Sequence, residues 1–183
     1  RTTHYTTRSA TPHPYQNLIK DLPAITHPHQ VWCSDLTRLV YHGTVWYLAT
    51  IEDIATRQIV AHRIGKHHDS HLVRATLQQA LAAETKPDIF HSDQGNEFMA
   101  QRCTDYLTPK GIRVSVSDVG SPWQNGFKES FYGRFKEELG DVDRFDSVGQ
   151  FIEAIHQQIY YYNHHRIHTV LKMPPAVFAA QSF

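Results

Sequence analysis

The sequence predicts an α/β domain in which a mixed five-stranded sheet is flanked by helices. Three segments rich in β-branched and aromatic residues, 31–40, 44–55 and 57–65, follow one another with short turns between them. Two short apolar segments, 88–93 and 112–117, then alternate with stretches of helical period. The chain has 183 residues, which is enough for one domain with a substantial core.

The first three strands are predicted to form an antiparallel meander. The turn Tyr-His-Gly at 41–43 is short enough to join the first two strands as a hairpin. The last two strands are separated from their predecessors by helices. Hairpin neighbours followed by strands that alternate with helices give a mixed sheet with helices on its faces.

Helical periodicity predicts four main helices and one further short helix in the tail. The main helices cover residues 69–84, 96–111, 126–139 and 147–166. The first has an apolar face and begins at a capping residue, Asp69 or Ser70. The second ends at Gly111. The loop 118–126, which is rich in Gly and Pro, precedes the third helix and is expected to be the most mobile part of the core.

Composition narrows the class of protein. Hydrophobic residues make up 40% of the chain and charged residues 20%, as in ordinary globular proteins. No apolar run is long enough to cross a bilayer, so we expect no membrane partner. Cys33 and Cys103 are far apart and no apolar leader is seen, which favours a cytoplasmic setting. A formal net charge of zero argues against strongly electrostatic binding of nucleic acid. Lys and Arg nevertheless outnumber Asp and Glu at the two ends of the chain, whereas Asp and Glu dominate its centre.

Two regions are predicted along the chain. Residues 1–28 are polar, rich in Thr, His and Pro, and lack a clear period, which is typical of an arm or linker from a longer protein. Residues 29–183 are predicted to form one folded domain.

Three acidic residues occupy unusual positions in the predicted elements. Asp35 lies inside the first strand, where an acid is costly unless it is paired or binds metal. Asp93 ends the fourth strand and precedes a glycine loop, which is where open α/β sheets place ligands. Glu129 lies on a helix that follows the loop 118–126. Together they suggest a carboxylate site.

Each acid also has a purely structural interpretation when taken alone. Asp35 could pair with Arg38 or Arg63, and Asp93 could cap the helix that starts at Asn96. Glu129 could be a surface acid of its helix. These interpretations stay open, but they do not explain why all three acids occur in such positions.

Three segments carry a family resemblance: VWCSDLT, HSDQGNEF and SPWQNGFKESFYGRFKEEL. They resemble the signature segments of the retroviral-integrase-like transposases of bacterial insertion elements. Thirty-five residues separate Asp93 from Glu129, as between the last two acids of that family. The closing segment YYNHHRIHTVLKMPPAVF resembles the end of the family's core. The resemblance covers about residues 20–183.

The resemblance implies a ribonuclease-H-like fold and a D-D-E triad of Asp35, Asp93 and Glu129. These would be the catalytic, metal-binding acids for two Mg²⁺ or Mn²⁺ ions, with Asp35 as the bridge between the ions. Expected partners are DNA, as element ends and target, and further copies of the chain in a homo-oligomer. The expected location is the bacterial cytoplasm, associated with the nucleoid.

Several residues are candidate DNA contacts. Lys136 falls where the family has a basic residue, and it lies nearly two helical turns after Glu129, on the same face. Trp123, Gln124 and Asn125 lie in the loop before that helix. Alternatively, Lys136 is an ordinary surface lysine that does not contact DNA, and Asn125 simply caps the helix that follows it.

Fourteen histidines raise the question of zinc. His164 and His168 are spaced to share a helical face, yet no HExxH motif and no cysteine partner accompany them, so zinc is disfavoured. His165, Arg166 and His168 are more simply explained by packing or by contact with phosphate, and Arg166 is a candidate DNA contact.

Three functions compete: a transposase or integrase core that cleaves DNA and transfers strands, a ribonuclease-H-like nuclease that only hydrolyses, and an inactive DNA-binding or assembly module. The intact triad argues against the third. No helix-turn-helix segment occurs, so recognition of element ends is expected on an N-terminal part that this sequence lacks.

Overall fold

A computed structural model describes residues 15–83, 85–93, 95–118 and 126–183, with only the backbone of 126–129. One sheet contains five strands in the order β3-β2-β1-β4-β5. They are β1 (Val31–Tyr41), β2 (Thr44–Asp53), β3 (Ile59–Gly65), β4 (Ile89–Ser92) and β5 (Arg113–Val116). The first three are antiparallel, whereas β4 runs parallel to both β1 and β5. The predicted mixed sheet and its meander are confirmed.

Backbone turns decide where the meander strands end. β1 and β2 are joined by His42 and Gly43, both with positive φ (44° and 73°), as a two-residue hairpin loop favours. β3 starts two residues later than predicted because a tight turn precedes it. In that turn Asp53 Oδ1 accepts hydrogen bonds from the backbone of Ala55 and Thr56, and Arg57 has a φ of 62°.

Six helices are described: α1 (Ser70–Leu81), α2 (Asn96–Met99), α3 (Gln101–Leu107), α4 (Gly126–Leu139), α5 (Val148–His164) and α6 (Pro175–Ser182). Of the two predicted capping residues, Asp69 caps α1 through its side chain. The predicted helix 96–111 is divided because Ala100 takes an extended conformation, with a ψ of 134°. Gly111, at a φ of 74°, ends the short 3-10 turn that follows α3.

The sheet has a hydrophobic core on each face. Successive residues of β1 point to opposite sides. Trp32 packs in the cluster that includes Leu77 of α1 and Leu107 of α3. Leu39 packs in the other cluster, which includes Phe151 of α5. Both faces of the central strand are therefore covered, and α4 contributes to the second cluster.

Residues 15–28, which the sequence assigns to a polar arm, lie against the core. The backbone N–H of Val116 donates to Gln16 O at 3.1 Å, and that of Leu18 donates to Ser115 Oγ at 2.9 Å. The first residues of this segment cover the C-terminal end of the outer edge of β5, where the backbone N–H of Val116 would otherwise be unpaired. Residues 1–14 and 119–125 lie outside the described residues, so the predicted mobility of the loop is untested.

Two global features concern membranes and disulfides. None of the described helices combines the length and the apolar character that a bilayer crossing requires. Cys33 and Cys103 are both buried and are not joined to each other by a disulfide.

Candidate active site

Asp35 and Asp93 are brought to adjacent strands. Cys33 of β1 lies opposite His91 of β4, and this is the last registered pair of the parallel ladder. Asp35 and Asp93 each follow that pair by two residues. Because parallel strands run in the same direction, the two acids lie at the same end of the β1–β4 pair.

Asp35 is held at the centre of the sheet. It lies opposite Thr50 of β2, and its side chain is half-buried. One carboxylate oxygen, Oδ1, accepts a hydrogen bond of 2.7 Å from the backbone N–H of Leu36. This contact fixes the carboxylate close to its own strand.

Helix α4 is anchored beside Asp35 by Tyr132. The buried Tyr132 hydroxyl donates to the backbone carbonyl of Asp35 at 2.7 Å and lies 2.8 Å from the Thr50 hydroxyl. Burial raises the pKa of Tyr132 well above its ordinary value, and the Asp35 charge adds to the rise, so the hydroxyl stays protonated. Glu129 belongs to the same helix, one turn before Tyr132.

Lys136 lies one turn after Tyr132 and is exposed. Partial burial lowers the pKa of Lys136, Asp35 opposes this by favouring the charged form, and Arg38 adds to the lowering. The ammonium group is therefore within electrostatic reach of Asp35. This placement agrees with the expected same-face relation of Lys136 to position 129, while contact with phosphate stays a prediction.

Asp93 is exposed and is accompanied by a second acid that the sequence reasoning did not assign. Asp93 Oδ1 accepts from the backbone N–H of Gly95 at 2.9 Å. A Cβ atom on Gly95 would lie 3.0 Å from Asp93 Oδ1 and 2.6 Å from Glu97 Oε1. Both carboxylates therefore converge on Gly95, which leaves no room for a larger residue there without displacing one of them.

His68 supports Glu97 from the segment before α1. His68 Nε2 lies 3.2 Å from Glu97 Oε1. Burial raises the pKa of the Glu97 carboxyl; its own backbone hydrogen bond and His68 oppose the rise, and Asp93 adds to it. Glu97 is thus a partly buried carboxylate next to the exposed carboxylate of Asp93.

The sequence analysis did not single out Tyr132, Glu97 or His68. The sequence contains a signal for the first two of them. Tyr132 lies three residues after Glu129 and four before Lys136, a spacing that places all three positions on one face of the helix. Glu97 is the second acid of the segment HSDQGNEF. His68 had no such signal, because its contact joins two segments that only the fold brings together.

The other predicted DNA contacts have different surroundings. Arg166 Nε lies 2.6 Å from Glu138 Oε1, so its guanidinium already joins the chain after α5 to α4. Trp123, Gln124 and Asn125 lie outside the described residues. Contacts of these four residues with DNA stay predictions.

The histidines considered for zinc do not share a helical face. α5 ends at His164, and His168 lies in the following turn, where its Nδ1 accepts from the backbone N–H groups of Val170 and Leu171. Burial lowers the pKa of His168, with Arg57 and other arginines adding to the effect. Because its ring is therefore neutral near pH 7, His168 serves as the acceptor of a turn.

The carboxylates of this end of the sheet have the donor chemistry of a hard divalent cation. Asp35, Asp93 and Glu97 offer only oxygen atoms, which Mg²⁺ and Mn²⁺ prefer. Among the side chains that the structure describes, no three acidic, histidine or cysteine groups already converge as a metal cluster. The side chain of Glu129 is not among them.

Comparison with known proteins decides the family. Two family models, both described as integrase core domain, match residues 25–122 and 110–175. The chain belongs to the integrase core domain family. This integrase core is 32% identical to an uncharacterized transposase-like protein of Haemophilus influenzae, over 93% of the chain and 80% of the relative. It is 33% identical to the transposase of insertion element IS904 from Lactococcus lactis, over 85% of the chain and 62% of that relative.

Solved structures show the same architecture. The integrase core superposes on the HTLV-2 integrase catalytic core domain, solved with magnesium, with a TM-score of 0.71 at 19% identity, covering 84% of this chain and 97% of that one. A simian T-cell lymphotropic virus intasome chain gives a TM-score of 0.75 at 17% identity, covering 96% of this chain and 60% of that one. The predicted ribonuclease-H-like fold is confirmed.

Proposed function

We propose that this integrase core is the catalytic domain of a transposase. It cleaves DNA at the ends of a mobile element and joins those ends to target DNA by phosphodiester transesterification. The observation that carries the proposal is the placement of Asp35 and Asp93 at one end of two adjacent parallel strands, beside the helix that contains Glu129.

Asp35, Asp93 and Glu129 are the proposed catalytic acids. They would hold two Mg²⁺ or Mn²⁺ ions, and the resemblance to the integrase family suggests Asp35 as the acid that both ions would share. Such a pair of ions stabilises the attacking and leaving oxygens of an in-line displacement at phosphorus. The hydrogen bond from Tyr132 to the Asp35 carbonyl keeps α4 in position relative to β1.

DNA is the proposed substrate, as element ends and as target. Lys136 contacts a phosphate next to the scissile one, which fits its exposure and its electrostatic coupling to Asp35. Because the HTLV-2 catalytic core was solved in trimeric and dimeric forms, we propose that this core also acts as a homo-oligomer. The natural protein acts on the nucleoid in the bacterial cytoplasm.

Strand transfer tests the proposed function directly. Full-length natural protein is incubated with labelled element ends, target DNA and Mg²⁺ or Mn²⁺, and joined products are separated by size. Asp93→Asn is expected to remove cleavage and joining with an unchanged unfolding midpoint, because the amide keeps the shape but loses the charge. Asp105→Asn, at an exposed acid of α3, is the matched control and is expected to keep full activity.

Other outcomes contradict the proposal in distinct ways. Cleavage without joined products indicates a nuclease that only hydrolyses. DNA binding without either reaction indicates a binding or assembly module. Full activity of Asp93→Asn shows that this acid is not catalytic.

A further inference from the structure

A cavity of about 160 Å³ lies between α4, α5 and the turn that follows α5. Ser130, Arg134 and Glu138 line it from α4, and their spacing of four residues places them in one row along the helix. Lys136 belongs to a different row, since two residues turn an α-helix by about 200°. The cavity therefore lies across α4 from the edge that carries Lys136.

The cavity wall carries more positive than negative charge. Three arginines line it: Arg57 before β3, Arg134 on α4 and Arg166 after α5. Two acids, Glu52 and Glu138, line it as well. The wall thus has one positive charge in excess, which favours an anion as its ligand.

The contacts of Glu138 leave much of the arginine donor capacity available. Glu138 Oε1 lies 2.6 Å from Arg166 Nε, and Glu138 Oε2 accepts from Gln158 at 2.8 Å. The two terminal amino groups of Arg166 make no hydrogen bond to the residues that the structure describes, although its side chain is only 14% exposed. The exposed Arg134 side chain likewise pairs with no group among those residues.

His168 adds a neutral donor to the cavity. Its Nδ1 accepts from the backbone N–H groups of Val170 and Leu171, so the ring proton lies on Nε2. Burial lowers the pKa of His168, and the three cavity arginines lower it further, which keeps the ring neutral near pH 7. The hydroxyls of Ser130 and Thr169 are further donors of the lining residues.

We propose that this cavity binds a phosphate group of the DNA backbone through the guanidinium groups of Arg134 and Arg166 and the Nε2–H of His168. A phosphodiester carries a negative charge and accepts several hydrogen bonds, which matches a wall with excess positive charge and many donors. Planar guanidinium groups suit phosphate oxygens particularly well. The inference rests on the proposed DNA substrate, and α4 then contacts DNA on both of its sides, at Lys136 and at Arg134.

DNA binding by the full-length natural protein tests the site, with labelled element-end DNA and fluorescence anisotropy at several salt concentrations. Arg134→Gln is expected to weaken binding about tenfold and to reduce the salt slope by about one unit, because one fewer counterion is released. His168→Asn is expected to weaken binding about threefold at the wild-type slope. It removes a neutral donor, while its amide oxygen can replace Nδ1 in the turn.

The matched control is Arg102→Gln. It removes the same charge from an exposed position of α3, on the opposite face of the sheet, and is expected to bind DNA as wild type does. Circular dichroism checks that each variant keeps the wild-type fold.

The proposal is overturned if Arg134→Gln weakens binding no more than Arg102→Gln does. It is equally overturned if His168→Asn, with its spectrum intact, binds DNA as tightly as wild type. If inorganic phosphate protects wild type against heat while Arg134→Gln keeps wild-type DNA affinity, the cavity binds the free ion and the proposal fails. These failures leave the proposed function standing, because that function is tested by strand joining and by its loss in Asp93→Asn.

Discussion

At the scale of single residues, Tyr132 joins the two elements that carry the proposed acids Asp35 and Glu129. Its hydroxyl satisfies the Asp35 carbonyl and lies beside the Thr50 hydroxyl. Because Tyr132 is buried, water would not readily replace its hydroxyl as the hydrogen-bond partner of the Asp35 carbonyl if that hydroxyl were removed. Its role is therefore structural support of the site rather than chemistry.

Tyr132→Phe is expected to lower the free energy of unfolding by about 1–2 kcal/mol, because buried polar groups lose a partner while the ring packing is kept. Urea denaturation measures this. Tyr161→Phe, at an exposed tyrosine of α5, is the control and should change stability little. A Tyr132→Phe protein as stable as wild type would show that the hydroxyl contacts do not anchor α4.

Lys136 gives a second prediction at this scale, and it concerns DNA binding. Lys136→Ala is expected to weaken binding by the full-length protein and to reduce the salt slope by about one unit, because one fewer counterion is released. The effect should be nearly independent of DNA sequence, since phosphates carry no base identity. Binding is measured at several salt concentrations.

The control for this experiment is Lys110→Ala. Lys110 is exposed and precedes β5, at the end of the sheet opposite Asp93. It is expected to keep the wild-type salt slope. If Lys136→Ala also keeps that slope, Lys136 is a surface lysine that does not contact phosphate.

At the scale of elements, Asn163 connects α5 to the start of edge strand β3. Its side-chain amide donates to Ile59 O at 2.9 Å, and its Oδ1 accepts from Ile59 N at 2.9 Å. Tyr162 donates to Arg57 O at 3.0 Å. The Tyr-Asn pair of the closing segment thus fixes the turn through which the chain enters β3.

Asn163→Ala is expected to destabilise the fold by about 2–3 kcal/mol, since the N–H and C=O of Ile59 would both lose a buried partner. Thermal or urea unfolding measures the loss. Gln157→Ala, at an exposed position of the same helix, is expected to stay within about 0.5 kcal/mol of wild type. Equal stability of the two variants would contradict this role of Asn163.

At the scale of the whole molecule, acid stability depends on a histidine in the core. His91 is fully buried in β4, with Nδ1 2.8 Å from Ser115 Oγ and Nε2 3.1 Å from Ser117 Oγ. Burial lowers its pKa from 6.5 to about 4, and Asp118 opposes this. Below pH 6.5 the unfolded chain therefore binds the proton before the folded chain does.

The free energy of unfolding is thus expected to fall between about pH 6.5 and pH 4, with a contribution from His91 on the order of 3 kcal/mol. Urea midpoints measured across this range test the slope. His91→Asn, whose amide can still hydrogen-bond to a serine, should flatten the dependence of the urea midpoint on pH. His71→Asn, at an exposed site, should leave that dependence unchanged. An unchanged slope in His91→Asn would contradict the assignment.

The sequence alone determined the elements and the family. The alternation of β1 and β2, the period of α4 and the cap at Asp69 are local properties, because side-chain direction and capping depend on neighbours along the chain. The break of the helix 96–111 at Ala100 was missed, since no Gly or Pro marks it. The segment 15–28 was expected to be an arm, because a sequence without period gives no sign of the core it covers.

Tertiary structure alone decided which groups meet. The parallel pairing of β1 with β4 sets Asp35 beside Asp93, and no local signal fixes such a register. The convergence of Asp93 and Glu97 on Gly95, the support of Glu97 by His68 and the contact of Arg166 with Glu138 join residues from separate elements. Their chemistry depends on distance and burial, which arise only when the chain packs, so the sequence could name the donors but not their partners.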